Sequence, residues 1–164
     1  MISRRLLSTK NVSALSVFQN SCYHKIDFKI AETDPVKHAV QKFSAFNIGC
    51  LAVTNPQQQV VGVLSERDYI NKISVFGKDD TVVQVKDVCT YAPIILAKPT
   101  DSVEQCMKKM LVKDIRHLLV MDNSECVGMI SIKDLIKELM RDKNDTITRL
   151  SDFKTGRGAF FGSD

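Results

Sequence analysis

The pattern of apolar and polar residues first predicts a strand followed by a helix. Residues 26–30 alternate apolar and polar side chains, which is the period of a strand with one buried face. Residues 36–43 carry apolar side chains at helical spacing, and this stripe is expected to pack on the sheet. Pro35 is predicted as the first residue of the helix, behind a cap at Thr33 or Asp34, because a helix start does not need the N–H that proline lacks.

A hairpin and a second helix are predicted next. Apolar residues 50–54 and 60–64 flank a polar turn, which is typical of two antiparallel strands. Residues 66–74 return to helical spacing, and the inward face of this helix is predicted to be Tyr69, Ile70 and Ile73. The order is therefore strand, helix, hairpin and helix.

The same order returns in the second half, which makes the chain a tandem repeat. The stretch GVLSERD at 62–68 is answered by GMISIKD at 128–134, 66 positions later, and Asp34 is answered by Asp101 at a spacing of 67. One residue is therefore missing from the polar hairpin turn of the second copy. The inward residues predicted for the helices of this copy are Val103, Met107, Met110, Leu111, Leu135, Ile136, Leu139 and Met140.

These patterns divide the chain into five parts. We predict a leader at 1–25, a first repeat at 26–76, a linker at 77–93, a second repeat at 94–141 and a C-terminal tail at 142–164. The tail ends in a segment with three glycines and two adjacent phenylalanines. Such a segment is typical either of disorder or of a docking peptide.

Residues 1–25 have the composition of a mitochondrial presequence, or transit peptide. They contain four basic residues, six Ser or Thr and no acidic residue. Polar residues interrupt the apolar run that a secretory signal would need. The sequence therefore predicts import into the mitochondrial matrix and removal of the leader between Phe18 and Lys25, with an ordinary disordered N-terminus as the alternative.

Charge and hydropathy exclude two classes of protein. The chain has 23 basic and 19 acidic residues, and subtracting the four basic residues of the leader leaves 19 of each sign. A neutral body does not favour a nucleic-acid groove. No apolar run approaches 18 residues, so no transmembrane segment is predicted.

The cysteines and histidines do not indicate a metal site. The five cysteines include no C-x-x-C pair, and the three histidines lie far apart in the sequence. A disulfide framework is not predicted either. Cys50, Cys106 and Cys126 lie among apolar residues and are interpreted as small core residues.

The repeated turn allows two interpretations. Ser65 with Asp68, and Ser131 with Asp134, stand where a strand ends and a helix begins. A Ser followed by an acid three positions later is the pattern of a helix cap. The same hydroxyl and carboxylate could instead bind a ribose diol beside free N–H groups that attract anions. Spacing alone favours the cap.

The duplicated motif resembles the CBS domain, a family named from cystathionine beta-synthase whose tandem pairs are called Bateman modules. The hallmark is a strand that ends in Gly-x-hydrophobic-Ser/Thr-x-x-Asp, and both copies have it. The similarity covers residues 26–140, and 85–90 resembles the family's lead-in segment. The chain is most similar to small mitochondrial two-CBS proteins. It departs from the family in having Ala52 and Leu119 where Pro is frequent, and in lacking a conventional lead-in helix before the first repeat.

The resemblance implies an α+β (mixed α/β) fold. Two CBS repeats, each a small mixed sheet with two helices, would be related by a pseudo-twofold axis, with a cleft on each side. In this family the clefts bind adenosyl compounds such as AMP, ADP, ATP or S-adenosylmethionine. The hydroxyl and the acid of each turn would hold the ribose, and apolar strand residues would sandwich the adenine.

Nine residues of this sequence are thereby implied in ligand binding. The ribose groups are Ser65 and Asp68, with Arg67 between them, in the first repeat, and Ser131 and Asp134 in the second. Ile48 and Ile115 are placed to face the base. Arg116 and His117 replace Gly49 and Cys50 of the first repeat and are expected to offer cationic donors to a phosphate, with a solvated surface pair as the alternative.

Two functions are consistent with the sequence. The first is a non-catalytic regulatory module that binds an adenosyl nucleotide between its repeats and modulates an unidentified mitochondrial partner. The second is a structural or assembly subunit of a mitochondrial complex that has lost the ligand. No catalytic motif is predicted, and apolar residues beyond the core stripes, such as Phe46 and Val112, favour a homodimer.

Overall fold

The computed structural model describes residues 12–91 and 94–154, which form two sheets and five helices. The strands are β1 (Lys29–Ala31), β2 (Cys50–Thr54), β3 (Val60–Ser65), β4 (Thr90–Tyr91), β5 (Leu96–Ala97), β6 (His117–Asp122) and β7 (Glu125–Ser131). The helices are α1 (Ala14–Gln19), α2 (Val36–Phe46), α3 (Glu66–Lys72), α4 (Val103–Val112) and α5 (Ile132–Lys154). Short 3-10 turns occupy Cys22–Lys25, Ser74–Phe76 and Val85–Asp87.

Three strands of each sheet share one topology, which confirms the predicted mixed fold of two repeats. The first sheet has the order β1-β2-β3-β4 and the second has the order β5-β6-β7. In each, a parallel pair is followed by an antiparallel hairpin. Both hairpins shift register at the same place, after Val53 in the first and after Val120 in the second, 67 positions apart. A shared irregularity of this kind is a structural mark of the duplication.

The start of helix α2 differs from the prediction. Pro35 is the cap residue rather than the first helical residue, it has an extended backbone, and no side chain caps the helix. The reason is an isolated bridge between Pro35 and Gln84, which holds the proline in extended conformation. The predicted apolar stripe is otherwise confirmed, because Val36, Ala39 and Phe43 are buried.

Residues 12–25 form a lead-in to the first repeat, which corrects the expectation that this repeat has none. The N–H of Ala14 donates to the carbonyl of Asp101 at 2.8 Å, just as that of Val85 donates to the carbonyl of Asp34 at 2.9 Å. Because Asp34 and Asp101 are equivalent, the two lead-ins occupy equivalent positions. Each one packs on the opposite repeat, so the first repeat's lead-in belongs to the core of the second.

Buried side chains anchor this first lead-in. Val17 is 2 % exposed and Tyr23 is 2 % exposed, and the ring of Phe18 lies over Gly128, where an added Cβ would come within 2.5 Å of it. Residues 1–11 of the predicted leader lie outside the described residues, whereas residues 12–25 are part of the folded domain.

Helix α5 continues past the predicted end of the second repeat. It runs through Lys154, whereas the apolar pattern fades after Arg141. Residues 141–148 are all exposed, so this part of the helix continues beyond the core of the second repeat. The glycine and phenylalanine segment predicted as a docking peptide lies outside the described residues.

Several helical residues predicted to face inward are on the surface. Leu135 and Ile73 are buried as predicted. The exposed ones are Ile70, Leu111, Ile136, Leu139 and Met140. Each repeat has a narrow sheet, so one stripe of each helix is enough to cover it and the neighbouring apolar residues remain outside. No helix in the described part of the chain is both long enough and apolar enough to cross a membrane.

Candidate functional site

The turn from β3 into α3 forms the helix cap that its spacing predicts. The backbone N–H of Asp68 donates to Ser65 Oγ at 3.2 Å, and the backbone N–H of Ser65 donates to Asp68 Oδ2 at 3.0 Å. Ser131 and Asp134 repeat this arrangement in front of α5. Both turns therefore form the helix cap. It leaves one carboxylate oxygen of each acid, Oδ1, outside the cap.

Asp68 Oδ1 has contacts beyond the cap. The ammonium group of Lys72 donates to it at 2.7 Å, and the hydroxyl of Thr90 lies 3.3 Å away. Burial by itself raises the pKa of this carboxyl, but the hydrogen bonds from Lys72 and Ser65 outweigh burial, so the net pKa lies below the usual range. Asp68 is therefore an ionised acceptor at neutral pH, as binding to a diol requires.

The turn of the first repeat opens into a cavity of about 270 Å³ that both repeats line, which we call the first cleft. Its lining residues are Gly49, Cys50, Val63, Ser65, Arg67, Asp68, Thr90, Ile94, Ile95, Asp114, Ile115, Arg116, His117, Leu119 and Met129. Six of the nine predicted ligand residues are among them. The structure thus brings together the turn of repeat one and the start of β6 in repeat two.

The first cleft has a polar part and an apolar part. The polar part holds Ser65, Asp68 and Thr90, and Arg67 and Arg116 add two cationic groups. The apolar part includes Val63, Ile94, Ile95, Ile115, Leu119 and Met129. A concave site with an apolar wall and a few polar groups is typical of small-molecule binding.

Several residues of the first cleft were not predicted from the sequence. Thr90, Ile94 and Ile95 follow the second lead-in, and their position in a cleft depends on the packing between repeats, so periodicity gave no signal. Asp114 also lines the cleft, and its carboxylate lies 3.4 Å from the guanidinium of Arg67. Both side chains are more than half exposed, so this ion pair contributes little stability.

His117 does not carry the charge that was expected of it. Burial, and then the neighbouring Arg116, lower the pKa of its imidazole to about 4. The ring also packs edge-on against Tyr23, with 6.0 Å between ring centroids. At neutral pH His117 is therefore a neutral ring in the wall between the repeats. Of the pair Arg116 and His117, only Arg116 is therefore positively charged at neutral pH.

The depressed pKa of His117 predicts acid destabilisation. The folded protein binds this proton less tightly than the unfolded chain does, so the contribution is complete above pH 6.5 and is lost as the pH falls towards 4. From pH 7.5 to pH 5.0 the free energy of unfolding should drop by about 2 kcal/mol through this residue. Urea unfolding at the two pH values measures this drop. For His117→Asn the drop in the free energy of unfolding should be smaller than for the wild type by about the same 2 kcal/mol. The exposed His38→Gln is the control, and an equal loss in all three proteins would contradict the assignment.

The remaining predicted residues lie on the other side of the molecule, in the second cleft. Ile48, Ser131 and Asp134 line a depression of about 320 Å³ there, together with Arg116 and His117, which face both clefts. Its other lining residues are Cys22, Tyr23, Phe46, Asn47, Gly49, Glu66, Ile132, Lys133 and Lys137.

The lead-in of the first repeat contacts the acid of the second cleft. Ser21 Oγ donates to Asp134 Oδ2 at 3.1 Å, and both residues are buried. Tyr23 lies beside them, and burial, followed by the nearby Cys50, raises the pKa of its hydroxyl far above the usual value. The two clefts are therefore alike in their turns and different in their surroundings.

The cysteines and the possible metal ligands of the described residues indicate neither a reactive thiol nor a metal site. Cys50 and Cys106 are buried, as predicted for core residues, whereas Cys126 is only partly buried. Burial, and then Asp68, raise the pKa of Cys50 to about 12, so its thiol is protonated at neutral pH. Residues 12–91 and 94–148 contain no group of three or more His, Cys, Asp or Glu placed to bind a metal ion.

Comparisons with known proteins agree with this architecture. A protein of Burkholderia ambifaria with CBS domains superposes with a TM-score of 0.72 and 26 % identity, covering 79 % of this chain and 95 % of that one. A CBS domain protein of Pyrobaculum aerophilum, solved in complex with AMP, superposes with a TM-score of 0.60 and 24 % identity, covering 69 % of this chain and 90 % of that one.

The fold and the paired clefts define a tandem repeat of two similar domains. The family model of the CBS domain matches residues 25–75 and 85–141, and the chain belongs to this family. A curated relative is the mitochondrial CBS domain-containing protein CBSX3 of Arabidopsis thaliana, which is 32 % identical over 126 residues. The alignment covers 75 % of this chain and 61 % of that protein, so the chain spans less than two thirds of its relative.

Proposed function

We propose that this chain is a non-catalytic regulatory module that binds an adenosyl nucleotide in the first cleft and thereby modulates a partner protein. The observation that carries the proposal is the arrangement of this cleft. Asp68 is held ionised with Ser65 and Thr90 beside it, and apolar side chains line the same cleft. The structural neighbour from Pyrobaculum aerophilum, solved with AMP, supports the same ligand class.

In this proposal each part of the cleft recognises one part of the ligand. Asp68 accepts from the ribose diol, and Ser65 adds a hydroxyl. The apolar wall, with Ile95 and Leu119, covers the faces of the adenine, and Ile115 lies beside it. Arg116 and Arg67 contact a phosphate. The ligand class comprises AMP, ADP, ATP and S-adenosylmethionine, and the charge on Arg116 favours the nucleotides.

Equilibrium binding of this panel to the full chain tests the proposal. A bound nucleotide stabilises the folded state, and at a hundredfold excess over its dissociation constant it adds about 2.7 kcal/mol. We expect AMP to raise the melting temperature, and inosine monophosphate, which has the phosphate but a different base, to raise it less. A melting temperature that no member of the panel changes would contradict nucleotide binding.

The alternative, an assembly subunit with a degenerate site, also has an observation in its favour. Asp68 already has hydrogen-bond partners in Ser65, Lys72 and Thr90, so a ligand must compete with them. If no adenosyl compound binds, the exposed apolar helix faces become the functional surface. The binding panel therefore separates the two functions.

We propose that the protein acts in the mitochondrial matrix. The acid-free composition of residues 1–25 supports import, and the relative from Arabidopsis thaliana is described as mitochondrial. Because residues 12–25 contribute buried side chains, we place the end of the removable leader before Val12 rather than between Phe18 and Lys25.

We expect the chain to form a homodimer through its helices. Ile136 and Met140 lie one turn apart on α5, and both are at least half exposed. Leu111 and Val112 add to the apolar surface on α4, which packs beside α5. Burying such a surface stabilises an association. The partner surface proposed here is a second copy of the same face.

Light scattering at tens of micromolar tests the dimer. The wild type should have twice the mass of one chain, and the double variant Ile136→Glu, Met140→Glu should be monomeric, because two buried carboxylates oppose association. Asp142→Lys, which is exposed on the other side of the same helix, is the control and should remain dimeric. A monomeric wild type would refute the proposal.

A further inference from the structure

The two clefts differ in the part where a flat apolar ligand would lie. In the first cleft this part is open, and Ile95 and Leu119 line it. The strand registers pair Leu96 with Leu119 and Lys29 with Ala52, so the counterparts of Ile95 and Leu119 are Phe28 and Ala52. Both counterparts are buried, and neither lines the second cleft.

Aromatic side chains from the lead-in fill that space on the second side. The ring centroid of Phe28 lies 6.1 Å from that of Phe18 and 6.1 Å from that of Tyr23. Phe18 packs on Gly128 of β7, whereas the equivalent Gly62 of β3 faces the backbone of Thr90. Among the residues that the structure describes, the apolar part is therefore open in the first cleft and filled in the second.

Tyr23 stands at the boundary between this aromatic cluster and the remaining depression. It lines the second cleft, packs against His117 and is 2 % exposed. Its hydroxyl is the one buried side-chain polar atom in the described residues that has no hydrogen-bond partner. A hydroxyl without a hydrogen-bond partner is costly in a core. Hydrogen bonding therefore does not explain why the Tyr23 hydroxyl lies there. Ser21, two residues earlier, hydrogen-bonds to Asp134.

We propose that the chain's own Ser21 and Tyr23 occupy the second cleft in place of a nucleotide, so that the module binds one nucleotide per chain. Ser21 contacts the carboxylate that corresponds to Asp68, and Tyr23 with its aromatic neighbours takes the space of the base. Tyr23 is then the residue that determines stoichiometry. This inference rests on the proposed nucleotide binding in the first cleft.

Calorimetric titration of the full chain with AMP tests the inference. The wild type should bind one equivalent per chain, and Asp68→Ala should lose that binding. Adding Tyr23→Ala to Asp68→Ala should restore binding of AMP through the second cleft, because removing the ring opens the space for the base. Tyr23→Phe in the same background is the matched control, since it keeps the ring and should not restore binding.

Each outcome decides the question. Two equivalents in the wild type would overturn the inference while leaving the proposed function intact, whereas no binding in the wild type would overturn the proposed function itself. A folded Asp68→Ala, Tyr23→Ala protein that does not bind AMP would also overturn the inference. Should that protein not fold, Asp134→Ala decides, because a one-site module keeps one full equivalent of AMP and a two-site module loses one.

Discussion

A chain that starts at Ile26 is expected to lose most or all of its folding stability, whereas a chain that starts at Val12 should be as stable as the full chain. The shorter chain lacks Val17, Phe18 and Tyr23, and each of these is at most 8 % exposed. Burial of a large apolar side chain contributes about 1.5 to 3 kcal/mol, and loss of an aromatic ring from a core costs about 3 to 5 kcal/mol. The combined loss is comparable to the whole stability of a typical domain, about 5 to 15 kcal/mol.

Urea unfolding monitored by circular dichroism measures this difference directly. Two chains that start at Val12 and at Ile26, with the same C-terminus, form the matched pair. If both unfold at the same urea concentration, residues 12–25 are not part of the core. The same reasoning predicts that the N-terminus of the protein isolated from mitochondria lies before Val12, and a start after Tyr23 would contradict it.

Replacing Arg116 with Gln should weaken the binding of AMP about 10- to 150-fold and leave the binding of adenosine nearly unchanged. The effect corresponds to about 1.5 to 3 kcal/mol, the range for one hydrogen bond to a charged group. His117 does not share this role with Arg116, because its imidazole is neutral at neutral pH. The guanidinium can form two parallel hydrogen bonds to phosphate oxygens, which a neutral amide cannot reproduce.

Parallel titrations of AMP and adenosine separate recognition of the phosphate from support of the fold. Lys108→Gln removes one positive charge from the exposed side of α4 and should bind AMP as the wild type does. Equal losses of AMP and adenosine in Arg116→Gln would mean that the arginine supports the cleft and does not contact the phosphate.

The duplicated turn was predictable from the sequence because its pattern is local. Ser65 and Asp68 lie three positions apart, and the copy at Ser131 and Asp134 repeats the same hydrogen bonds. The apolar periods likewise predicted the strands β1, β2, β3, β6 and β7 and the starts of α2, α3, α4 and α5 to within a few residues. Family resemblance then placed each turn in a cleft between the repeats, which periodicity alone could not do.

The role of the lead-in could not be predicted in this way. Ala14 bonds to Asp101, 87 positions away, and the serines of residues 12–25 and their lack of acidic residues also fit a presequence. The neutral state of His117 was missed for a related reason, because its pKa depends on burial between two repeats. Helix α5 was predicted too short, because residues 141–148 are all exposed and have no buried face to create a period.

The central claim is that a nucleotide binds in the first cleft through Asp68. Calorimetric titration of AMP into three full-length proteins tests it most directly: the wild type, Asp68→Ala and Asp134→Ala. We predict that the wild type and Asp134→Ala each bind one equivalent of AMP and that Asp68→Ala shows no measurable binding. Asp68→Ala should melt as cooperatively as the wild type, which shows that it is folded. Binding that survives in Asp68→Ala and disappears in Asp134→Ala would contradict the account and place the nucleotide in the second cleft.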